Sequence, residues 1–206
     1  MLGFFALAMQ ELSGAVTASD GRAARALRTR NAVVDALLDL VDEGNVRPQA
    51  ALVAERAGVS LRSVYQHFDD LETLFRVAAE RHQQRLSHLE PPPRLPAERE
   101  ARIGAFVRHL ALLMDAISPM ARAAALQAPF SPGVAQRLGA ARERQRQQLA
   151  EAFAPELSAA AEPERLLHAL HAAASWVTWE GLRRGAGLTT EEASAVVELM
   201  LTKLLK

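Results

Sequence analysis

The chain has 206 residues, half of them apolar and 23% charged, which suits one large or two small globular domains and excludes a disordered chain. It contains no cysteine, so disulfide frameworks, thiolate metal sites and cysteine nucleophiles are excluded. Its 24 basic residues match its 24 acidic ones, which excludes a polycation that coats nucleic acid along its whole length but leaves room for a local basic patch.

Helix formers dominate, and no stretch alternates with period two, so the expected class is all-α. Residues 1–20 read as a flexible N-terminal extension. The apolar start Met1–Met9 lacks the basic leader of a signal peptide, and no apolar run approaches the ~18 residues of a bilayer span, so the cytoplasm is expected and no membrane. A first helix is predicted over Gly21–Glu43, with Leu27, Val34, Leu37, Leu38 and Val41 facing inward and Gly44-Asn45 as its stop. Pro48 opens a second helix to Ala57. Gly58 ends it, and Ser60 caps a third over Leu61–His67. Asp69 or Asp70 caps a fourth, from Leu71 to about Leu89. The stretch from Pro91 to Pro96 holds four prolines in six residues and breaks the helical run. Helices are then predicted over Ala97–Ile117, Pro119–Ala128, Gly133–Phe153, Pro163–Arg184 and Thr190–Leu205, the last opened by a Thr189/Glu192 capping box.

Residues 50–69, AALVAERAGVSLRSVYQHFD, have the makings of a tight helix–turn–helix. Ala54 permits a close crossing, Gly58 supplies a left-handed turn, Val59 and Val64 plug the angle and Phe68 anchors the exit. Leu61, Arg62, Ser63, Tyr65, Gln66 and His67 are left pointing outward. Arginine reads guanine, glutamine reads adenine, and tyrosine and serine hold phosphates, so this face suits a major groove. Tyr65 is the only tyrosine in the chain; the alternative is that it is half-buried packing. Residues 21–30, GRAARALRTR, carry Arg22, Arg25, Arg28 and Arg30 with no acid, which reads either as a second DNA contact or as a solvated helix face. Arg47 is a further candidate.

The stretch AERAGVSLRSVYQHFDDLETLF resembles the signature of TetR-type transcriptional regulators, and the likeness extends over roughly residues 28–81. It implies an N-terminal helix-turn-helix DNA-binding domain over 21–70 and a C-terminal helical effector-binding and dimerisation domain over 71–206. It makes Leu61, Arg62, Ser63, Tyr65, Gln66 and His67 the DNA-facing set, places Gln49 against phosphate, and allows the segment holding Arg22, Arg25 and Arg28 to reach DNA. Two positions depart from the pattern: Arg62 stands where the family often has glycine, and Leu71 where it usually has a phosphate-gripping lysine.

The second half shows no catalytic constellation, so no enzyme and no cofactor are expected. His168 and His171 are spaced i, i+3, but no third ligand lies nearby in sequence and no metal site is expected. Phe106, Met114, Met120, Phe130, Trp176 and Trp179 are large and apolar, material either for a filled core or for a cavity. The resemblance favours a cavity for a largely apolar small-molecule effector, with His109, Arg122 or His171 as polar anchors. A homodimer is expected, because one head reads only a half-site and because the last two helices are rich in apolar surface. The interface expected uses Ala173, Val177, Val197, Met200, Leu201 and Leu204. The resulting expectation is a ligand-responsive repressor that binds a palindromic operator in double-stranded DNA. The alternative is an all-helical small-molecule-binding protein or enzyme whose helix-turn-helix is only structural.

Overall fold

The computed structural model describes residues 3–89 and 94–206, with side chains over 21–89 and 94–206. Ten α-helices occur among them, with no strand: α1 (Gly3–Asp42), α2 (Ala50–Arg56), α3 (Leu61–His67), α4 (Leu71–Arg85), α5 (Arg99–Gln127), α6 (Pro132–Ala152), α7 (Ala154–Ala159), α8 (Pro163–Ala173), α9 (Trp176–Glu180) and α10 (Thr190–Leu204). Two compact units divide at Ala79/Glu80, inside α4, rather than at the expected 70/71. Helix α1 begins at Gly3, where an extension was expected; the side chains of residues 1–20 lie outside the described set. So do residues 90–93, which include three of the four prolines of the expected break.

In the N-terminal unit the buried stripe of α1 begins at Val33 and continues through Val34, Leu37, Leu38, Leu40 and Val41. Leu27 does not belong to it and is 59% exposed. Gly44, at φ +96°, ends α1 in a Schellman motif: its N–H donates to the Val41 carbonyl and that of Asn45 to the Leu40 carbonyl. Gly58, at φ +66°, ends α2 in the same way, with its N–H on Glu55 and that of Val59 on Ala54. Helix α2 starts at Ala50, two residues after the proline expected to open it. The Asp70 carboxylate accepts the Thr73 N–H at 2.7 Å and so caps α4, which settles the choice left open with Asp69.

In the C-terminal unit α5 packs against α6, α9 and α10, and α8 packs against α6, α7 and α10. Trp179, Phe153, Leu149, Leu170 and Leu201 are the largest side chains sealed in this core, and Phe106 meets Phe153 edge-on at 5.4 Å. Two predicted boundaries move. Helix α5 continues through Pro119, where two helices were expected. Its ring costs the helix a donor, but at the preceding residue the Ser118 hydroxyl donates to the Met114 carbonyl at 2.7 Å and accepts from Trp176 Nε1 at 3.1 Å, which ties this turn to α9. Conversely, the single helix expected over Pro163–Arg184 breaks at Ala174-Ser175, where Ser175 caps α9 by accepting the Thr178 N–H. By length and hydropathy α5 resembles a bilayer span, but half of its apolar window is buried inside this protein.

Candidate functional site

The helix-turn-helix is built from local bonds. Ser60 Oγ accepts the Ser63 N–H at 3.1 Å and starts α3. Val53, Ala54, Val64 and Phe68 are buried and lock α3 against α1 and α2. A bidentate pair between Arg56 and Glu43, at 2.7 and 2.8 Å, ties α2 to the end of α1; the Arg56 hydrogen bond holds the Glu43 carboxyl below its usual range. Since α3 has only seven residues, these anchors rather than its own length keep it helical.

Its remaining face is open. Leu61 is 45% exposed and Tyr65 49%, Arg62 and Gln66 are exposed, and Ser63 and His67 are half-buried. Tyr65 thus keeps about half of its surface open to solvent. Among the described residues the side chains of Arg62, Tyr65 and Gln66 make no hydrogen bond or ion pair. An arginine, a phenol and a carboxamide thus stand unsatisfied except by solvent on one rigid surface. Gln49 is exposed at the start of α2 and makes no side-chain capping bond. Arg47 is exposed just before it, its backbone N–H resting on Asn45 Oδ1. Arg22, Arg25 and Arg28 are exposed along α1. Arg30 leaves this group: its guanidinium lies 4.9 Å from the centre of the Phe68 ring and serves the fold.

Within the C-terminal unit a cavity of about 430 Å³ opens between α5, α6, α8 and α9. Five of the nine residues expected at an effector site line it: Phe106, His109, Met114, His171 and Trp176. The other four do not. Phe130 is 86% exposed on the turn after α5, because the helix continues past Pro119 and carries it clear of the core. Met120 is buried elsewhere. Arg122 pairs with Glu180 at 3.2 Å. Trp179 is sealed in the core, where its Nε1 donates to Asp115 at 2.9 Å. That carboxylate also accepts from Arg183 and Thr190 and so gathers α5, α10 and the π-helical turn at Gly181–Gly185.

Several lining residues escaped the sequence reading. Leu110, Leu113 and Ile117 continue the stripe of Phe106 and Met114 at helical spacing and could have been read from it. Arg142, Arg144, Gln145 and Gln148 of α6 also line the cavity. Burial, the largest influence, lowers the pKa of His109 and also that of His171, where the charges of Arg146 and Arg142 add to it. Both rings are thereby biased toward the neutral form.

The interface residues are redistributed. Ala173, Val197 and Leu201 are buried in the chain's own core, with Leu201 wholly inaccessible, so they are not available to a partner. Met200 and Leu204 pack at the edge of that core and are half-buried. Val177 is 66% exposed, as is fitting for a contact surface, and Leu199, which was not expected, is 56% exposed on α10.

The sequence matches no family model and no curated protein. Solved structures do match. A transcriptional regulator from Rhodococcus sp. Rha1 is similar with a TM-score of 0.62 at 23% identity, over 87% of this chain and 95% of that one. A protein from Mesorhizobium loti MAFF303099, described as a TetR-family transcriptional regulator, is similar with a TM-score of 0.60 at 17% identity, over 88% of this chain and 96% of that one. The fold is that of the TetR-type regulators. The all-α class and the family likeness read from residues 28–81 agree with it.

Proposed function

We propose that this chain is a TetR-type DNA-binding transcriptional regulator in which α3 enters the major groove. One observation carries the reading: Val64 and Phe68 clamp a seven-residue helix whose outer face presents the side chains of Arg62, Tyr65 and Gln66 with no partner among the described residues. Burying such groups in a cavity would be costly, and leaving them on a random surface needs no anchored helix. Base edges and phosphates satisfy all three. Leu61, Ser63 and His67 complete the surface, Gln49 and Arg47 meet phosphate, and Arg22, Arg25 and Arg28 add contacts from α1. The likeness to two solved structures of transcriptional regulators supports this reading.

In the same reading the chain acts in the cytoplasm as a homodimer, which places two copies of α3 about 34 Å apart on one face of a palindromic operator. The dimer contact uses the exposed side of α9 and α10, around Val177 and Leu199, with Met200 and Leu204 at its edge. A small molecule in the cavity prefers one packing of α5, α6 and α8. Helix α4, which continues from one unit into the other, carries that preference to the reading head, and operator affinity falls. The chain is then a ligand-responsive repressor without catalytic activity.

The test is selection from random DNA by the full chain, followed by footprinting. An inverted repeat should emerge and be protected at moderate salt. Arg62→Ala should weaken the selected site by about 1–3 kcal/mol and relax one base position. Failure to enrich any sequence would favour the other reading, a helical small-molecule-binding protein whose helix-turn-helix is structural.

A further inference from the structure

The cavity lining has a lopsided charge. Among the described residues it includes Arg142, Arg144, His109, His168 and His171, and no aspartate or glutamate. On α6 the residues Leu138, Ala141, Gln145 and Gln148 form one stripe at helical spacing. Arg142 and Arg144 flank it, each about 80° from its centre. The neighbouring arginines on this helix are neutralised: Arg137 pairs with Glu80, and Arg146 with Glu164 and Glu143. Among the described residues Arg142 and Arg144 have no such partner. Glu143, between them in sequence, belongs to the Arg146 pair and does not line the cavity. The interior is of the opposite kind, with Phe106, Leu110, Met114, Ile117 and Trp176 supplying apolar walls from α5 and α9. His171 also lines the cavity, and its Nε2 is buried without a hydrogen-bond partner.

We propose that the cavity takes an amphipathic organic anion, its carboxylate paired with a guanidinium of α6, Arg142 or Arg144, and its alkyl or aryl body lying in the apolar interior. The inference deepens the effector reading above and rests on it only for the regulatory consequence. A neutral apolar ligand would leave two guanidiniums and a buried imidazole nitrogen without use, whereas a carboxylate accepts from a guanidinium fork in two parallel bonds. An organic cation would meet like charge with no acid to offset it. The lowered basicity of His171, caused first by burial and then by Arg146, Arg142 and His168 against Glu143, fits a pocket whose net field is positive. At about 430 Å³ the space suits a small ligand.

The test is calorimetric titration of the full chain, without DNA, with decanoate, decanol and decylamine, and with naphthalene carboxylate beside naphthol. At least one carboxylate should bind roughly tenfold or more tightly than its neutral counterpart, and decylamine should bind weakest. The double substitution Arg142→Gln, Arg144→Gln lies on exposed positions and should close the gap between carboxylate and alcohol. Equal binding of acid and alcohol in the native chain, an unchanged gap in the double variant, or no binding of either carboxylate would overturn the assignment. These results are read apart from DNA. A chain that binds decanoate yet selects no sequence keeps the anion site and loses the regulator, and a chain that selects an operator yet ignores both carboxylates does the reverse.

Discussion

In the N-terminal unit Val33, Val53, Val64 and Leu74, none more than 1% exposed, hold two seven-residue helices that could not persist alone. In the C-terminal unit α5, α6, α8 and the short α9 surround open space, and polar side chains such as the buried Ser118 and the half-buried Asp115 tie turns together. The first arrangement puts unsatisfied polar groups outside on a rigid frame. The second puts unpaired, solvent-exposed cations beside a cavity that a ligand can fill. Rigidity suits the proposed DNA contact, because phosphates and base edges form a fixed lattice. Hollowness suits a body that must change its preferred packing when something enters, because a close-packed core has few alternatives of similar energy.

The largest expected effect separates core from contact surface on one helix. Leu201→Glu buries a carboxylate at a site with no exposure and should cost more than about 4 kcal/mol, abolishing the cooperative melt of the C-terminal unit. Leu199→Glu, two residues away and 56% exposed, should leave stability within about 0.5 kcal/mol. It should shift the mass in light scattering from dimer to monomer. If Leu199→Glu remains dimeric, the α10 surface is not the interface. If Leu201→Glu melts normally, the inward assignment of this stripe fails.

That pair also marks the limit of what could be read from the chain. Where a bond joins near neighbours, the sequence was sufficient: Ser60 on Ser63, Gly58 in its left-handed turn, and the reciprocal Thr189/Glu192 box all stand as expected. The outward side of α3 was legible for the same reason, since once Val64 and Phe68 face inward the other positions have nowhere else to point. On α10 apolar residues cover a wide arc. Nothing local says that Ala193, Val197 and Leu201 meet the chain itself while Leu199 does not, because that depends on where α5 lies. The cavity posed the same difficulty. Its walls come from four helices, and an arginine beside a cavity looks in sequence like an arginine on a solvated face. Pro119 misled in the other direction: its local signal for a break is real, but tertiary packing around Ser118 and Trp176 overrides it.

A smaller effect tests whether inward polar groups are as structural as they look. The Asp115 carboxylate feels burial most strongly, which pushes its pKa up, but hydrogen bonds from Thr190 and Trp179 and the nearby Arg183 outweigh this and hold it below its ordinary value. Asp115→Ala leaves the Trp179 N–H without an acceptor in the core and should cost about 1–3 kcal/mol. The acid response follows from the direction of the shift. A carboxyl whose folded pKa is depressed contributes fully above its ordinary value of 3.8 and loses that contribution as pH falls through the lower folded value. Acid titration followed by tryptophan fluorescence should show a transition in the native chain that the variant lacks. Coincident profiles would remove Asp115 from the network that holds this unit together.

The smallest effect compares two glycines, one in each unit. A methyl group on Gly58 would meet nothing within 4 Å, so any penalty for Gly58→Ala must come from the backbone, which sits at φ +66°. That conformation costs an L-residue about 1–2 kcal/mol, and the loss should appear in the N-terminal unit with a matching fall in DNA affinity, since the angle between α2 and α3 depends on this turn. Gly139 lies inside α6 with equally open space around it and ordinary helical geometry. Gly139→Ala should therefore stabilise by about 0.5–1 kcal/mol, because alanine loses less freedom on entering a helix. Opposite signs for the same chemical change would show that one glycine is needed for its handedness and the other is simply tolerated. A stabilising Gly58→Ala would mean that the turn is reached by another route and that the reading head is less rigidly set than its packing implies.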